Sequence, residues 1–396
     1  MSVILVLIEF EKKPLLFSDP IDVISTSKLS QVPAAFEKME AAISKGYYLA
    51  GFLSYEAGYA FEDSLKQKDE FDFPLLQFGV YGKAGDRGLG TRDKEQGTRG
   101  QPARPGGLGA REINVTKDEY FHNISTIRDH ISAGDVYQIT YCIKYKFNLS
   151  GDPFTLYKEL KKKQPVPYPA YIETEDYQIL SLSPEMFIKK RGDFVVTKPM
   201  KGTWRRGSNF FSDLWAARCL HKDPKNRAEN IMIADLLRND LGRIGHSVKW
   251  PRLFEVARYT TLCQMTSTIT AKVGRNILLH DIFKAIHPSG SVTGTPKIRA
   301  MELIREIEKE ERRIYTGAIG YITPERDMFF NVPIRTILIR GQGLGTRGLG
   351  TGSGKREAEM GVGGGIIWDS TPEGEWEEGM LKAKFLTQLT SCGLTS

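Results

Sequence analysis

The sequence predicts an α+β fold built mainly from antiparallel sheet. Strand-like segments recur along the chain, and the helical patterns among them do not alternate regularly with strands as they do in parallel α/β proteins. At 396 residues the chain is longer than a single small core requires, so we expect two packed layers or lobes. Apolar residues make up 40% of the chain, which excludes a disordered protein.

The stretch from Asp135 to Leu149 predicts a half-buried strand. Apolar residues such as Tyr141 and Ile143 alternate with polar ones such as Gln138, so that the two kinds fall on opposite faces. We therefore expect the polar face to be exposed to solvent.

Residues 177–202 predict extended segments joined by a turn around Gly192. Glu185 precedes this glycine by seven residues and Lys201 follows it by nine. Because a hairpin folds its two arms side by side, we expect Glu185 and Lys201 to be neighbours.

Two helices are predicted in the second half of the chain. Residues 225–244 carry apolar side chains at helical spacing, with Glu229 near the start. The next helix follows "SGSVTG", where Thr295 can cap it and Pro296 suits its first position. Glycines before a helix start let backbone N–H groups approach an anion, so this segment is a candidate carboxylate cradle.

Two further features have a structural and a functional interpretation. Arg335 lies among apolar strand residues, where a guanidinium requires either a ligand anion or a structural ion pair. Glu375, Glu378 and Lys382 share one face of a predicted C-terminal helix, which is either a binding face or an ordinary solvated one.

Two Gly/Arg-rich segments, 83–113 and about 341–360, share Gly-Leu-Gly-Thr or Gly-Leu-Gly-Ala units and are predicted to be flexible surface inserts. Residues 83–113 and 340–360 hold five of the seven net positive charges, so the rest of the chain is nearly balanced. This distribution argues against a nucleic-acid-binding face on the folded body. RNA binding by the inserts is the alternative, although no aromatic residues are interleaved to stack on bases.

Cysteine spacing and hydropathy exclude other classes of protein. The four cysteines show no CxxC spacing and no neighbouring histidines, so we expect neither zinc nor a disulfide framework. The longest early apolar run, Val3 to Ile8, is too short to cross a bilayer and lacks signal-peptide features. We expect a cytoplasmic enzyme with no membrane contact.

Eight ordered sequence blocks resemble those of chorismate-utilising enzymes. They are "GDVYQI", "SLSPEMF", "KPMKGT", "RAENIMIADLLRNDLGRI", "GSVTGTPKIRAMELI", "YTGAIGY", "VPIRTI" and "GGGIIWDSTPEGEWEEGMLKAK". "GFLSYEAGYAFE" extends the resemblance into the N-terminal part. It implies two packed β-rich lobes with the active site in the cleft between them. The chain would then comprise an N-terminal part (1–82), the first insert (83–113) and a chorismate-binding catalytic domain (114–393) interrupted by the second insert.

Within this family the residue at Lys201 separates the branches. Anthranilate synthases have alanine in their "PIAGT" motif, whereas "PMKGT" resembles the aminodeoxychorismate synthases, whose lysine attacks the ring. Gln138 stands where isochorismate and salicylate synthases carry a water-activating lysine, which weighs against water attack. The order of Ser291 and Thr293 also resembles the aminodeoxychorismate branch. Anthranilate synthase component I is the alternative within the family.

The resemblance implies catalytic and metal-binding roles. Lys201 would add to C2 of chorismate, with its amine kept uncharged by burial beside Arg205, Arg206 and a metal ion, and ammonia would then displace it by entering at C4. Glu185 would be the general acid for the departing hydroxyl. Glu229 and Glu378 would hold Mg²⁺. The implied substrate-binding residues are Tyr315 and Arg335 at the enolpyruvyl carboxylate, Lys382, Thr293, Gly363 and Gly365 around the other oxygens, Gly202 and Thr203 at the C4 end, and Gln138.

Two observations concern what the chain lacks. Gln264 stands where many relatives have a histidine. No cysteine lies in a G-x-C-x-G motif, so we expect a separate glutamine amidotransferase subunit to supply ammonia. The alternative from another functional class is a Gly/Arg-tract nucleic-acid binder on an inactive scaffold.

Overall fold

A computed structural model describes residues 4–85, 108–259, 262–341 and 356–387. These residues form two antiparallel sheets flanked by helices, which confirms the predicted α+β class. The strands are β1 (Leu5–Ile8), β2 (Leu15–Phe17), β3 (Asp22–Thr26), β4 (Tyr48–Leu53), β5 (Leu76–Tyr81), β6 (Leu108–Ile113), β7 (Gln138–Leu149), β8 (Tyr168–Glu173), β9 (Tyr177–Ser183), β10 (Met186–Arg191), β11 (Phe194–Lys198), β12 (Met200–Arg205), β13 (Gly245–Arg258), β14 (Leu262–Val273), β15 (Gly294–Thr295), β16 (Ala318–Ile322), β17 (Met328–Asn331), β18 (Thr336–Arg340) and β19 (Arg356–Ile366).

Helices cover the sheets and carry several candidate site residues. They are α1 (Val32–Ser44), α2 (Lys117–Ser132), α3 (Pro153–Lys163), α4 (Phe210–Lys222), α5 (Pro224–Gly242), α6 (Leu279–Ile286), α7 (Lys297–Ile307) and α8 (Pro372–Thr387). The predicted helix at 225–244 corresponds to α5, and the predicted C-terminal helix corresponds to α8.

The first sheet has the order β15-β7-β19-β18-β9-β8-β1-β2, with β6 also paired to β7. The second has the order β12-β14-β11-β10-β17-β16-β4-β5-β3, with β13 also paired to β14. The N-terminal part of the chain contributes to both sheets, since β1 and β2 lie in the first and β3 to β5 in the second. It is therefore integral to the fold.

Apolar side chains from both sheets meet in a shared interior. One buried cluster joins Val6 and Ile179 of the first sheet to Phe52, Ile319 and Phe329 of the second. Burial of such side chains contributes roughly 1.5–3 kcal/mol each, which holds the sheets face to face.

The start of α7 differs from the prediction. Thr295 belongs to the two-residue strand β15, which pairs with Gln138 and Ile139 of β7, and the helix is capped at Pro296 without a side-chain hydrogen bond. Pairing with β7 keeps Thr295 extended, so Thr295 is not the cap. The "SGSVTG" segment therefore leads into a strand before the helix begins.

The polar face of β7 is also not the solvent-exposed face that alternation predicts. Gln138, Thr140 and Lys144 are all buried. Lys144 is enclosed because its ammonium pairs with Glu359 at 3.0 Å, and burial lowers its pKa. Gln138 and Thr140 face the candidate site described below.

The ends of the two Gly/Arg-rich segments belong to strands. β6 occupies the last six residues of the predicted insert 83–113, and β19 begins at Arg356 within the second predicted insert. Both strands pair with β7. The intervening parts, 86–107 and 342–355, lie outside the described residues.

Cys142 and Cys263 are buried free thiols and Cys219 is partly buried, whereas Cys392 lies outside the described residues. Across the described part of the chain, no helix combines the length and apolar character that a membrane span requires.

Candidate active site

Glu185 and Lys201 come together as the hairpin predicts. Glu185 lies between β9 and β10, and Met186 pairs with Lys198 of β11 just before the chain enters β12, which carries Lys201. The charge of each group affects the pKa of the other. The hairpin thus places a carboxyl and an amine in one enclosure.

The carboxyl of Glu185 is almost completely buried, with 3% of its surface exposed. Burial raises its pKa to about 7, while a hydrogen bond from the Ser291 hydroxyl and the charge of Lys201 act in the opposite direction. The Ser291 Oγ to Glu185 Oε1 distance is 2.5 Å. A carboxyl in this environment can hold and release a proton near neutral pH.

The amine of Lys201 has a lowered pKa. Burial is the main cause, and the nearby Lys382 ammonium adds to it, whereas Glu229 and Glu185 oppose it. The predicted contribution of the two arginines is wrong, because Arg206 instead pairs with Asp213 and Arg205 is exposed on β12. Burial and Lys382 together favour the uncharged amine that a nucleophile requires.

The glycines of β19 are required by close packing against site residues. A Cβ at Gly365 would overlap the side-chain ends of Gln138 and Lys201, and one at Gly363 would lie 2.7 Å from the Cys142 sulfur. A Cβ at Gly361 would overlap the ring of Tyr315. Side chains from β7 and β12 therefore reach over β19 because the glycines leave room for them.

Gln138 is fully buried, and neither its amide nitrogen nor its amide oxygen has a hydrogen-bond partner among the described residues. The hydroxyl of Thr140, two residues along the same face of β7, is also buried without a partner in the described chain. Buried polar groups are normally paired, so these atoms indicate a ligand-facing surface.

Acidic and basic side chains from two helices face β19. The Lys382 ammonium donates to the carbonyl of Gly363 at 2.8 Å and pairs with Glu378 at 2.8 Å. Lys382 lowers the pKa of Glu378. Burial raises the pKa of Glu229 on α5, and the negative charges of Glu378 and Asp223 add to this effect. Glu229 and Glu378 thus approach each other from α5 and α8.

The described residues contain no group of three or more His, Cys, Asp or Glu side chains spaced as a metal site. Glu229 and Glu378 nevertheless supply two carboxylates, which suit Mg²⁺ because this ion usually takes one or two protein carboxylates and completes its shell with substrate and water.

The segments around Thr293 and Gly202 form two further walls. The carbonyl of Thr293 accepts from the backbone N–H of Thr140 at 2.6 Å, which ties the "GSVTG" segment to β7. Gly202 has φ +88°, and a Cβ there would lie 2.8 Å from Asn226 Oδ1. Thr203 is exposed and pairs across β12 and β14 with Gln264.

Arg335 has φ +53°, a strained backbone for a residue other than glycine. Burial lowers the pKa of its guanidinium, which the hydroxyl of Tyr259 opposes. Within the described ranges no carboxylate pairs with Arg335, so no ion pair among these residues explains its charge. An unpaired guanidinium in a partly enclosed position is suited to an anionic ligand.

The resemblance predicts that Tyr315 acts together with Arg335, but in the structure the two side chains have different neighbours. The buried ring of Tyr315 lies over Gly361, and its hydroxyl bonds with the thiol of Cys142. The two segments are linked by the backbone, because the N–H of Thr316 donates to the carbonyl of Pro333 at 3.2 Å. Joint binding of one carboxylate remains a prediction.

Sequence reasoning missed two residues near Glu185. The hydroxyl of Ser291 was singled out only as a mark of the family branch, although its place in the glycine-rich motif was a usable signal. Tyr259, whose pKa is affected by the charges of both Arg335 and Glu185, directly follows the long strand β13, and no motif distinguishes it in the sequence. The Gln264 side-chain oxygen is buried without a described partner at the position where relatives carry a histidine.

Comparison with known proteins gives concordant matches. The family model described as chorismate binding enzyme matches residues 8–388. Aminodeoxychorismate synthase component 1 of Bacillus subtilis (strain 168) is 35% identical over 282 residues, covering 71% of this chain and 57% of that protein. Anthranilate synthase component 1 of Aquifex aeolicus (strain VF5) is 33% identical over 275 residues, covering 69% of this chain and 53% of that protein. The chain thus spans little more than half the length of these relatives.

Structural comparison agrees. Anthranilate synthase component I from Streptococcus pneumoniae TIGR4 superposes with a TM-score of 0.73 at 25% identity, covering 96% of this chain and 89% of that one. Because the family model matches nearly the whole chain and the fold is the same, the chain belongs to the family of chorismate binding enzymes.

Proposed function

We propose that the chain is component I of an aminodeoxychorismate synthase, converting chorismate and ammonia to 4-amino-4-deoxychorismate and water. The observation that carries this proposal is the pair formed by Lys201 and Glu185. Enclosure lowers the pKa of the amine and raises that of the carboxyl to about 7. A neutral nucleophile beside a protonated acid is the combination that addition with loss of a hydroxyl requires.

The reaction proceeds in two displacements. The Lys201 amine forms a bond to C2, the ring double bonds shift, and the C4–O bond breaks as Glu185 gives its proton to the departing hydroxyl, which leaves as water. Ammonia then bonds to C4, the double bonds shift back, the C2–N bond to Lys201 breaks, and one proton of the new ammonium group returns to Glu185. One hard displacement is thereby replaced by two easier ones.

Binding of the two substrate carboxylates is assigned to opposite sides of the site. Arg335, which has no described carboxylate partner, would hold the enolpyruvyl carboxylate together with Tyr315. Glu229 and Glu378 would hold a magnesium ion against the ring carboxylate, with Lys382 and the β19 glycines alongside. When bound, Mg²⁺ would neutralise the negative charge of that carboxylate.

Intact-mass measurement with chorismate and Mg²⁺ in the absence of ammonia tests the proposal. We expect a covalent adduct in the parent protein, none in Lys201→Ala, and an undiminished adduct in Lys198→Ala, which removes a partly exposed lysine paired with Glu255 of β13. Absence of the adduct from the parent, with ammonia-dependent turnover unchanged in Lys201→Ala, would remove Lys201 from the chemistry.

Ammonia would be supplied by a separate glutamine amidotransferase subunit. The relative in Bacillus subtilis is named component 1, which is consistent with a second component. Ammonium salts alone should then support turnover by the isolated chain. Glutamine should do so only after the partner is added.

Anthranilate synthase component I is the second candidate, because a relative with that name is 33% identical over 69% of the chain. Product analysis separates the two. Anthranilate is fluorescent and forms with release of pyruvate, whereas aminodeoxychorismate retains the enolpyruvyl group until a lyase acts. Release of pyruvate by the purified chain would therefore favour the second candidate.

A further inference from the structure

Arg312 is a buried arginine to which neither the sequence motifs nor the proposed reaction assigns a role. It lies between α7 and β16 with 2% of its surface exposed. Its guanidinium makes five hydrogen bonds, which equals the number of N–H groups that an arginine side chain carries. Such complete pairing fixes the group in one orientation.

The five bonds divide between a carboxylate and three neighbouring chain segments. Nε and Nη2 donate to the two oxygens of Glu308 at 2.8 and 2.5 Å. The other bonds go to the carbonyl of Thr140 at 2.6 Å, the carbonyl of Val292 at 2.7 Å and the hydroxyl of Thr316 at 3.3 Å. One side chain therefore joins β7, the "GSVTG" segment and the residues just before β16.

The two carbonyls lie where regular strand pairing stops. β15 pairs with β7 only through Gly294 and Thr295, and the N–H of Thr140 donates to the carbonyl of Thr293 just beyond that pairing. The carbonyls of Thr140 and Val292 point instead to Arg312. At the end of the β7–β15 pairing, the Arg312 guanidinium thus takes the place of a further pair of strand hydrogen bonds.

The segments held in this way carry the polar atoms that face the candidate site. Gln138 and Thr140 present buried amide and hydroxyl groups without partners among the described residues. Thr293 follows Val292 directly. Glu308 extends the same support, because its Oε1 accepts from the backbone N–H of Cys142 at 2.9 Å.

The backbone of Arg312 is fixed as well. Its N–H and that of Arg313 donate to the two oxygens of buried Glu56, at 2.6 and 3.0 Å. The ring of Tyr55 lies 4.4 Å from the guanidinium carbon. These contacts hold the turn that leads into Tyr315.

We propose that Arg312 is a positioning residue of the chorismate site: by holding the carbonyls of Thr140 and Val292, it fixes the wall formed by Gln138, Thr140 and Thr293. This inference rests on the proposed function of the site. A buried ion pair is weak evidence for stability, since apolar residues of similar volume often replace one without loss. The directed hydrogen bonds of Arg312 explain its presence better, because they set the position of two backbone segments.

The test is Arg312→Lys, with Arg313→Lys as the matched control. Lysine keeps the charge but has three donors and no planar fork, so it cannot hold both carbonyls and both oxygens of Glu308. The control alters a neighbouring arginine that pairs with Asp72 and Glu359. We expect Arg312→Lys to raise the KM for chorismate about 10- to 100-fold with kcat reduced less than the KM rises. Arg313→Lys should leave both constants within about twofold, because the guanidinium of Arg313 pairs with Asp72 and Glu359 and not with the segments that line the site.

Thermal unfolding accompanies the kinetics. A purely structural role would lower the melting temperature and the active fraction while leaving KM unchanged, and that result would overturn the proposal, as would parental KM and kcat in a folded Arg312→Lys. If Arg312→Lys does not fold, Glu308→Gln decides the question, because it keeps the shape of the partner and removes the charge that orients Arg312. A parental KM in folded Glu308→Gln then overturns the proposal.

Calorimetric titration with chorismate separates this inference from the proposed function. Parent protein that binds chorismate but forms no amino product would contradict the proposed function only. Binding that is equally tight in the parent and in Arg312→Lys would contradict the positioning role, whether or not the parent turns over.

Discussion

The hydroxyl of Ser291 donates a 2.5 Å hydrogen bond to the carboxyl of Glu185 across 106 residues of sequence. Ser289 continues the chain of hydroxyls, since its Oγ lies 2.9 Å from that of Ser291. Burial raises the pKa of Glu185 and the Ser291 bond lowers it, with a net value of about 7. The protonation of the proposed acid is thus set by two opposing local causes.

Ser291→Ala should move the pH dependence of turnover to higher pH. A general acid must hold its proton, so kcat/KM falls as pH rises through the pKa of Glu185. The lost hydrogen bond favours the ionised carboxyl, so its removal raises that pKa. We expect the descending limb of kcat/KM to shift upward by about one pH unit, which corresponds to about 1.4 kcal/mol. Ser289→Ala is the control, because the Ser289 hydroxyl contacts Ser291 and not Glu185, and it should shift the descending limb less. A downward shift in Ser291→Ala would refute this assignment.

Glu185→Gln should make the protein more stable at alkaline pH while removing activity. The pKa of Glu185 is about 7 in the folded protein, whereas an exposed glutamate has a pKa of 4.5. Relative to Glu185→Gln, in which residue 185 does not ionise, the wild-type protein therefore loses stability as pH rises from about 4.5 through about 7. The difference in the free energy of unfolding between the two proteins should approach about 3 kcal/mol at pH 8. Denaturant unfolding of both proteins at pH 4 and pH 8 measures it, and equal differences at the two pH values would contradict the expectation. Glu56, whose pKa burial also raises to about 7, is present in both proteins and cancels.

Gly365→Ala should impair catalysis through steric displacement. The added methyl group would overlap the ends of Gln138 and Lys201, both of which must then move. A displacement of about 1 Å at a reacting group can lower the rate on the order of 100-fold. Gly242→Ala is the matched control, because a Cβ there has no described atom within 4 Å and helical alanine is favoured over glycine by about 0.5–1 kcal/mol. Steady-state kinetics should show parental activity for the control, and parental activity in Gly365→Ala as well would contradict the packing argument.

The sequence predicts much of the local structure around the site and less of its long-range contacts. The hairpin at Gly192 is a local event, so the proximity of Glu185 and Lys201 follows from the spacing of a few residues. Alternation in β7 correctly predicts a strand, but it assigns Gln138 and Thr140 to solvent. Their face is covered by β12 and the "GSVTG" segment, which approach from distant parts of the chain.

The same limit explains the error at Thr295. A threonine before proline has the propensities of a helix cap, and only pairing with β7 shows that it is a strand residue. Tyr259 and Arg312 were missed for a related reason. Their roles come from long-range contacts that no local pattern in the sequence reveals.

Glu229→Gln should weaken magnesium binding and remove Mg²⁺-dependent turnover while leaving the fold intact. The substitution keeps one oxygen donor but removes the charge that favours a hard cation. Calorimetric titration with Mg²⁺ in the presence of chorismate measures the effect without reference to activity. Asp235→Asn, on the same helix but exposed and paired with Arg238, is the control and should bind as the parent does. Unaltered Mg²⁺ affinity in Glu229→Gln would refute the metal assignment.

Arg335→Gln should stabilise the ligand-free protein and abolish its response to chorismate. The guanidinium is partly buried without a described carboxylate partner, so its charge opposes folding until an anion binds. Removal of this charge should stabilise the ligand-free protein by about 1 kcal/mol, because charges that serve function often reduce stability. Arg326 provides a matched comparison, since it also has a positive φ, of 66°, but its guanidinium pairs with Glu40 at 2.7 and 2.9 Å. Arg326→Gln should therefore lower the free energy of unfolding by about 1–3 kcal/mol.

Thermal unfolding of Arg335→Gln and Arg326→Gln with and without chorismate distinguishes the two positions. Arg326→Gln should unfold at a lower temperature than the parent and still be stabilised by chorismate, because its substrate contacts are intact. Arg335→Gln should unfold at a higher temperature than the parent and show no shift with chorismate. A fall in melting temperature for Arg335→Gln would mean that the guanidinium is already satisfied in the free protein, and the anion-binding role of this residue would then lose its physical basis.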